Sequence, residues 1–464
     1  MSLTEKLADF ACSLDYEDFS QALVDTAKLH ILDAIGVGLL GSKLHAQNPT
    51  IKTLQTMGGM GTASVFGHSL MLQPNYAAFA NGMLLNGHFQ PTHRATLAHP
   101  HAPCIAAAFA TGEDVSASGK AVISAVIAAY DVFLRICAAV SPSHLARGLQ
   151  TTGTIAPFGA AVASAKLMGF DRERMKHALN HAANFSGAGL IAAHGAKPYY
   201  PVQVGINVWK GMMAAFLARD GLPGYDWILE GGSSQDKGFL QAYSDQYDAE
   251  IITADLGIRY EIVQTGFKLH HAASFSLTPI DAAQALVREH GLKLDEIKEI
   301  KVKIAPVLYS FVKEKITTVR AEAREATYYI PFHIALALVK GKVDTDMYTD
   351  ECFNDPEIQK VMQKVTSSAD PGLGQDYSKT KSVMSSIVEM KTGDGRIFTR
   401  RLDYPRGNPE NPASKEELQN KFRTLATKVI SQQAVEEIVE LVDGLERVQN
   451  IHSLTRLIQQ EGSQ

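Results

Sequence analysis

The chain has 464 residues, 45% of them hydrophobic and 20% charged, and a formal net charge of −5 at pH 7. That length allows two or three domains with large cores. The mildly acidic balance excludes a global basic field of the kind that attracts nucleic acid, so an anionic ligand would need local cations. Four scattered cysteines, Cys12, Cys104, Cys137 and Cys352, form no CxxC pair, which fits reduced thiols in a cytoplasmic setting. Met1 to Leu7 has no basic stretch followed by an apolar core, so no secretory signal is expected. No uncharged apolar run is expected to span a bilayer: the longest, Ala121 to Ala129, is closed by Asp131 and Arg135 and reads as a buried helix.

In chain order, Leu23, Ala27, Leu29, Ile31 and Ile35 fit one apolar helical face. Ala77 to Leu85 is helical in period. Ala160 to Met168, Lys176 to Asn184 and Val208 to Ala218 predict further helices, two of them rich in small residues suited to close packing. Gly221-Leu222-Pro223-Gly224 punctuates the last. After Gly266 the pattern changes. Pro279 to His290 predicts a helix, Ile297 to Ile304 a half-exposed strand and Tyr329 to Val339 another helix. Ser386 to Lys391 and Ile397 to Leu402 flank Thr392-Gly393-Asp394-Gly395-Arg396, the signature of a hairpin. From Lys415 the chain is helical, opened by a capping box between Ser414 and Glu417. The fold class is therefore mostly α: a large all-helical domain, residues 1–266 and 405–464, carrying an inserted α+β domain, residues 267–404.

The segment Asn86 to Pro100 carries the most chemistry. His88, His93, His99 and His101 cluster there beside Thr92 and Arg94, where a helix ends. Imidazoles exchange protons near neutral pH, so the segment suits acid–base work. Metal binding and an ordinary polar loop stay open, although no carboxylate lies between Gly87 and Phe109. His177 and His181, four apart on one helix face, lack the glutamate of a HExxH site. Gly36-Val37-Gly38-Leu39-Leu40-Gly41 satisfies GxGxxG, but the residues before it are helical in period. Dinucleotide binding needs a preceding strand, so close helix packing explains the glycines better. Lys197, beside Pro198 and two tyrosines, and Lys268, in Lys268-Leu269-His270-His271 near the domain junction, are candidate anchors for a carboxylate. Arg147 could add to them, with a surface salt bridge as its default reading.

Several of these runs, in order and spacing, resemble the MmgE/PrpD family almost end to end. They are Leu32-Asp33-Ala34-Ile35-Gly36 through Ser42, Ala77-Ala78-Phe79-Ala80-Asn81-Gly82, Thr152-Gly153-Thr154, Phe158-Gly159-Ala160-Ala161, Ile228-Leu229-Glu230-Gly231 and Arg406-Gly407-Asn408-Pro409 through Lys421-Phe422. The family includes 2-methylcitrate dehydratase, cis-aconitate decarboxylase and iminodisuccinate epimerase. The resemblance implies a cofactor-free enzyme for a small anionic polycarboxylate, and no metal is expected in its site. It also implies a helical domain with an α+β lid, a homodimer, and a site between the domains. Against the family's Asp-Phe-Asp-Asp-Thr run this chain reads His88-Phe89-Gln90-Pro91-Thr92, keeping the threonine and the later His99-Pro100 and losing all three carboxylates. Lys197 and Lys268 match the family lysines. Tyr200, Gln150 and Phe332 stand where the family has a histidine, a histidine and a lid tyrosine, and Ala273 stands near a lost imidazole or thiol.

The chemistry so implied is proton removal or delivery next to a carboxylate. His99 is the expected base or acid and His88 a second proton carrier. Lys197, Lys268 and Arg147 supply positive charge. Thr92, Gln150, Tyr200 and His270 line the substrate. A 2-methylcitrate-dehydratase-like lyase leads, with an epimerase or isomerase and a decarboxylase as alternatives, and a non-catalytic carboxylate binder as another class. No nucleic-acid or membrane partner is expected.

Overall fold

The computed structural model describes residues 1–43, 48–86, 89–187, 189–191, 199–232, 235–316, 324–375 and 382–459. Its contacts divide the chain into two compact units, Met1–Thr265 with Ser414–Gln464, and Gly266–Ala413. The loop from Pro405 to Ala413, which the sequence grouped with the C-terminal helices, packs in the second unit, where Gly407 O accepts from Phe267 N–H at 3.0 Å.

The longer helices of the first unit are α1 Leu3–Ser13, α2 Gln21–Ser42, α3 Asn48–Gly58, α4 Pro74–Leu85, α5 Ala106–Asp114, α6 Gly119–Val140, α7 Thr151–Leu167, α8 Arg172–Phe185 and α9 Tyr199–Arg219. A capping box starts α1: Ser2 Oγ accepts from Glu5 N–H, and the Glu5 carboxylate accepts from Ser2 N–H. The GxGxxG glycines lie inside α2. A Cβ on Gly38 would stand 2.3 Å from the Phe66 ring, and one on Gly41 2.3 Å from the Leu84 carbonyl of α4. Glycine in a helix interior costs about 1 kcal/mol against alanine, which the close approach of α2 and α4 offsets. There is no strand before the motif, so its helical reading holds.

The central helix α6 is long and apolar enough to cross a membrane by length and composition, with 89% of its most apolar window buried inside the protein. The uncharged stretch Ala121 to Ala129 is one part of this helix, which is buried as expected. Asp131 and Arg135 lie within the helix rather than ending it, fully buried and paired one turn apart. Arg135 spends its remaining donors on the carbonyls of Ile251, Ala254, Asp255 and Arg259. A buried guanidinium is tolerable only when its donors are so satisfied.

The second unit contains α10 Ser274–His290, β1 Ile297–Ile304, α11 Ile330–Lys340, α12 Pro356–Met362, β2 Val365–Ala369, β3 Ser386–Thr392 and β4 Ile397–Leu402. The sheet order is β2-β1-β3-β4, with β1 and β2 parallel and the other pairs antiparallel. Ile297 and Ile300 are both buried although three apart, because a register shift between Ile297 and Glu299 turns the strand. Helix α10 packs on β3 and β4. It starts at Ser274, ahead of the Pro279 where the sequence placed its first turn: burial of Phe275 and Leu277 extends it back through the proline.

Back in the first unit, α13 Lys415–Ala426 opens with the expected capping box, and α14 Gln432–Asp443 follows. All four cysteines are free. The two fully buried ones, Cys104 and Cys137, have thiols pushed well up by desolvation, which makes them packing groups.

Candidate active site

The candidate segment runs from the end of α4 to a single π turn, His101–Ile105, that leads into α5. His99 is 8% exposed. Its Nδ1 lies 2.8 Å from the Pro91 carbonyl and 3.5 Å from Thr92 Oγ1. A carbonyl only accepts, so Nδ1 carries the proton and the neutral ring keeps its lone pair on Nε2. The His99 backbone N–H donates to Thr152 Oγ1 at 2.9 Å. Thr152 sits in the first turn of α7, and Gln150 is that helix's N-cap, its side-chain oxygen accepting from Gly153 N–H. The Gln150 amide also donates to the Tyr200 hydroxyl at 2.9 Å. Thr92, His99, Gln150 and Tyr200 are thus tied to one helix N-terminus, where the backbone dipole favours negative charge. The periodicity alone starts this helix later, at Ala160, and foresees neither the Gln150 cap nor the bond from His99 to Thr152, although the family resemblance singles out Gln150 and the Thr152-Gly153-Thr154 run. A Gln-Thr-Thr-Gly run ahead of small apolar residues was the available signal.

Arg147 is exposed, and its guanidinium pairs with Asp245 at 2.9 Å. His88 and Lys197 lie outside the described residues. Lys268 and His270 belong to the second unit. Lys268 is buried. His270 Nδ1 accepts from Val343 N–H at 3.3 Å, and its Nε2 is 3.7 Å from Asp281. Phe332 is fully buried against Tyr348 and Phe353, a packing residue of the second unit. His177 accepts from Gly224 N–H and His181 bonds the Leu222 carbonyl, so both rings of that pair hold a loop. No group of three or more His, Cys, Asp or Glu stands ready to share a metal among the described residues.

The other histidines of the segment do different work from His99. His93 bonds Thr96 and Glu261. His101 is fully buried, with Nε2 3.4 Å from His30 Nδ1 and Nδ1 3.8 Å from Asp33. Desolvation holds His101 well below its usual pKa and His30 down to about 3, so both stay neutral. Asp33 is bonded by Lys421 of α13 at 2.6 Å, and Lys421 also reaches the Phe89 carbonyl at 3.4 Å and lies over that ring. Burial raises the Asp33 carboxyl against the pull of Lys421, and lowers the Lys421 ammonium against the pull of Asp33. The segment is therefore pinned at its start by a buried ion pair whose members come from opposite ends of the chain.

The MmgE/PrpD N-terminal domain matches residues 5–252, and the MmgE/PrpD C-terminal domain matches residues 270–447. This chain belongs to the MmgE/PrpD family. Cis-aconitate decarboxylase of Mus musculus is 25% identical over 98% of this chain and 93% of its own length, and that of Homo sapiens 26% over 98% and 94%. The 2-methylcitrate dehydratase of Cupriavidus necator is 24% identical over 88% of this chain and 87% of its own. These relatives of the MmgE/PrpD chain are, by name, lyases.

Proposed function

We propose that the protein is a lyase that removes carbon dioxide or water from a small polycarboxylate, with His99 moving the proton on the carbon next to a carboxylate. The observation that carries this reading is the hydrogen bond from His99 Nδ1 to the Pro91 carbonyl at 2.8 Å. It leaves Nε2 as the nitrogen that exchanges a proton with the substrate: as a base it takes the proton for loss of water, and in its protonated form it delivers one to the carbanion left by loss of carbon dioxide. A proton beside a carboxylate is weakly acidic, and charge builds on the carboxylate oxygens as it leaves, so catalysis needs donors and cations aimed there. The N-terminal turn of α7 offers partial positive charge next to His99. Lys268, together with Lys197 through the family resemblance, is assigned to the substrate's carboxylates. The family resemblance implies that no cofactor takes part.

Matches to cis-aconitate decarboxylases across 98% of the chain favour loss of carbon dioxide, and the dehydratase relatives keep loss of water as the second reading. The test is incubation with cis-aconitate, 2-methylcitrate, citrate and simple dicarboxylates in D₂O, followed by NMR. Net loss of carbon dioxide or water, abolished in His99→Asn, is expected. Deuterium uptake without net loss would replace the lyase with an epimerase. No turnover, together with no thermal shift from any of these acids, would remove the polycarboxylate reading.

A further inference from the structure

His93, Thr96 and Glu261 are buried, at 2%, 5% and 5% exposure. Glu261 Oε2 is 3.2 Å from His93 Nε2, and His93 Nδ1 is 3.0 Å from Thr96 Oγ1. The Thr96 oxygen accepts from Ala98 N–H at 3.2 Å. Burial pushes the Glu261 carboxyl up, but the bond and charge of His93, with Arg259 and Arg135, outweigh it and hold the group below its usual range. A carboxylate only accepts, so His93 Nε2 carries a proton. In the neutral ring Nδ1 is then the acceptor of the Thr96 hydroxyl; in the imidazolium, whose charge helps hold Glu261 ionised, Nδ1 donates to the Thr96 oxygen and the same chain of bonds stays closed. The order of bonds is Ala98 N–H to Thr96 O–H to His93 to Glu261. This is the donor sequence of a hydroxyl–imidazole–acid triad, but the hydroxyl is buried and its oxygen already takes a backbone N–H. It serves as a lock and not as a nucleophile.

What it locks is the turn between His93 and Ala98. That turn is closed by His93 N–H to Ala98 O at 2.9 Å and Leu97 N–H to His93 O at 3.0 Å. Leu97 sits at φ 58, a left-handed conformation that residues bearing a Cβ rarely adopt. A turn under that strain needs external bonds to persist. Its two ends carry Pro91 and His99, so the bond that sets the His99 tautomer depends on the turn being closed. Glu261 is in turn fixed by Arg259 at 3.1 Å and by the carbonyls that Arg135 gathers between Ile251 and Arg259.

We propose that Thr96, His93 and Glu261 are positioning residues that hold His99 in its Nδ1–H form and aim it. This rests on the reading of His99 as the proton carrier, but its first readout needs no substrate. In the full-length protein labelled with ¹⁵N-histidine, with His99→Asn used for assignment, wild type is expected to show His99 protonated at Nδ1. Thr96→Val should give mixed tautomers at His99 and lower kcat about tenfold or more with little change in KM, and Thr96→Ser should restore both. An unchanged His99 tautomer in Thr96→Val, or failure of Thr96→Ser to rescue, overturns the proposal. Should Thr96→Val not fold, Glu261→Gln decides: a shifted His99 tautomer supports the clasp and an unaltered one refutes it. Tautomer loss in a protein that turns over no polycarboxylate would sink the lyase reading and leave the clasp standing.

Discussion

Replacing Lys421 with methionine isolates the buried pair behind the site. The Lys421 ammonium is 2.6 Å from Asp33 Oδ1, with side chains 7% and 3% exposed. Asp33 Oδ2 has no hydrogen-bond partner among the described residues, so Lys421→Met strands a buried carboxylate. Breaking such a pair costs about 3–5 kcal/mol. Asp33 can escape by taking a proton, which caps the electrostatic loss. From its ordinary 3.8, protonation at pH 7 costs about 4 kcal/mol, at about 1.4 kcal/mol per pH unit. The sign follows from linkage. A carboxyl whose folded pKa is raised contributes stability that is present at low pH and lost as pH rises through that pKa. The Lys421→Met deficit should therefore shrink by about 1.4 kcal/mol per unit from pH 7 to pH 5. Asp33→Asn strands the ammonium, and its deficit should shrink as pH rises. The double variant buries neither charge and should return to within about 2 kcal/mol of wild type. Urea unfolding followed by circular dichroism at pH 5, 6 and 7 measures all four proteins. A Lys421→Met deficit that is flat across this range, or a double variant as unstable as the singles, would refute the argument.

His99→Asn should lower kcat by about 10²- to 10⁴-fold on whichever polycarboxylate is turned over, the usual worth of a general base, with thermal unfolding checking that the fold survives. Desolvation holds His30 and His333 at about 3 in the folded chain against 6.5, so they contribute stability above pH 6.5 that is lost as pH falls. Each should cost about 2 kcal/mol between pH 7 and 5, and His30→Gln should flatten that part of the unfolding profile. Ser414→Ala removes the cap of α13 and should destabilise the protein by about 1 kcal/mol, read as a lowered urea midpoint.

Spacing along the chain determined much of this protein. The strand Ile297–Ile304, the hairpin around Thr392 to Arg396, the Ser414–Glu417 capping box and the helical setting of the GxGxxG glycines are all visible in the residues themselves. Their free energies come from neighbours a few positions away. The histidine-rich segment was visible as a place for proton chemistry, and the family resemblance was carried by short runs in order. What the segment does was not visible. Four histidines that look alike in sequence include one tied to Pro91, one to Glu261 and one buried against His30, while His88 lies outside the described residues. The extent of α7, and with it the capping role of Gln150, was hidden because Pro157 and Gly153 read locally as breaks, whereas burial of nearly the whole helix keeps it continuous. Tertiary structure alone decided the partners: Glu261 reaches His93 across 168 positions, and Asp33 meets Lys421 from the other end of the chain. The physical reason is that a charge takes its meaning from its surroundings. Arg147, which the sequence offered to the substrate, is exposed on Asp245, while Arg135, read only as the end of an apolar run, is the buried guanidinium that organises the segment bearing Glu261.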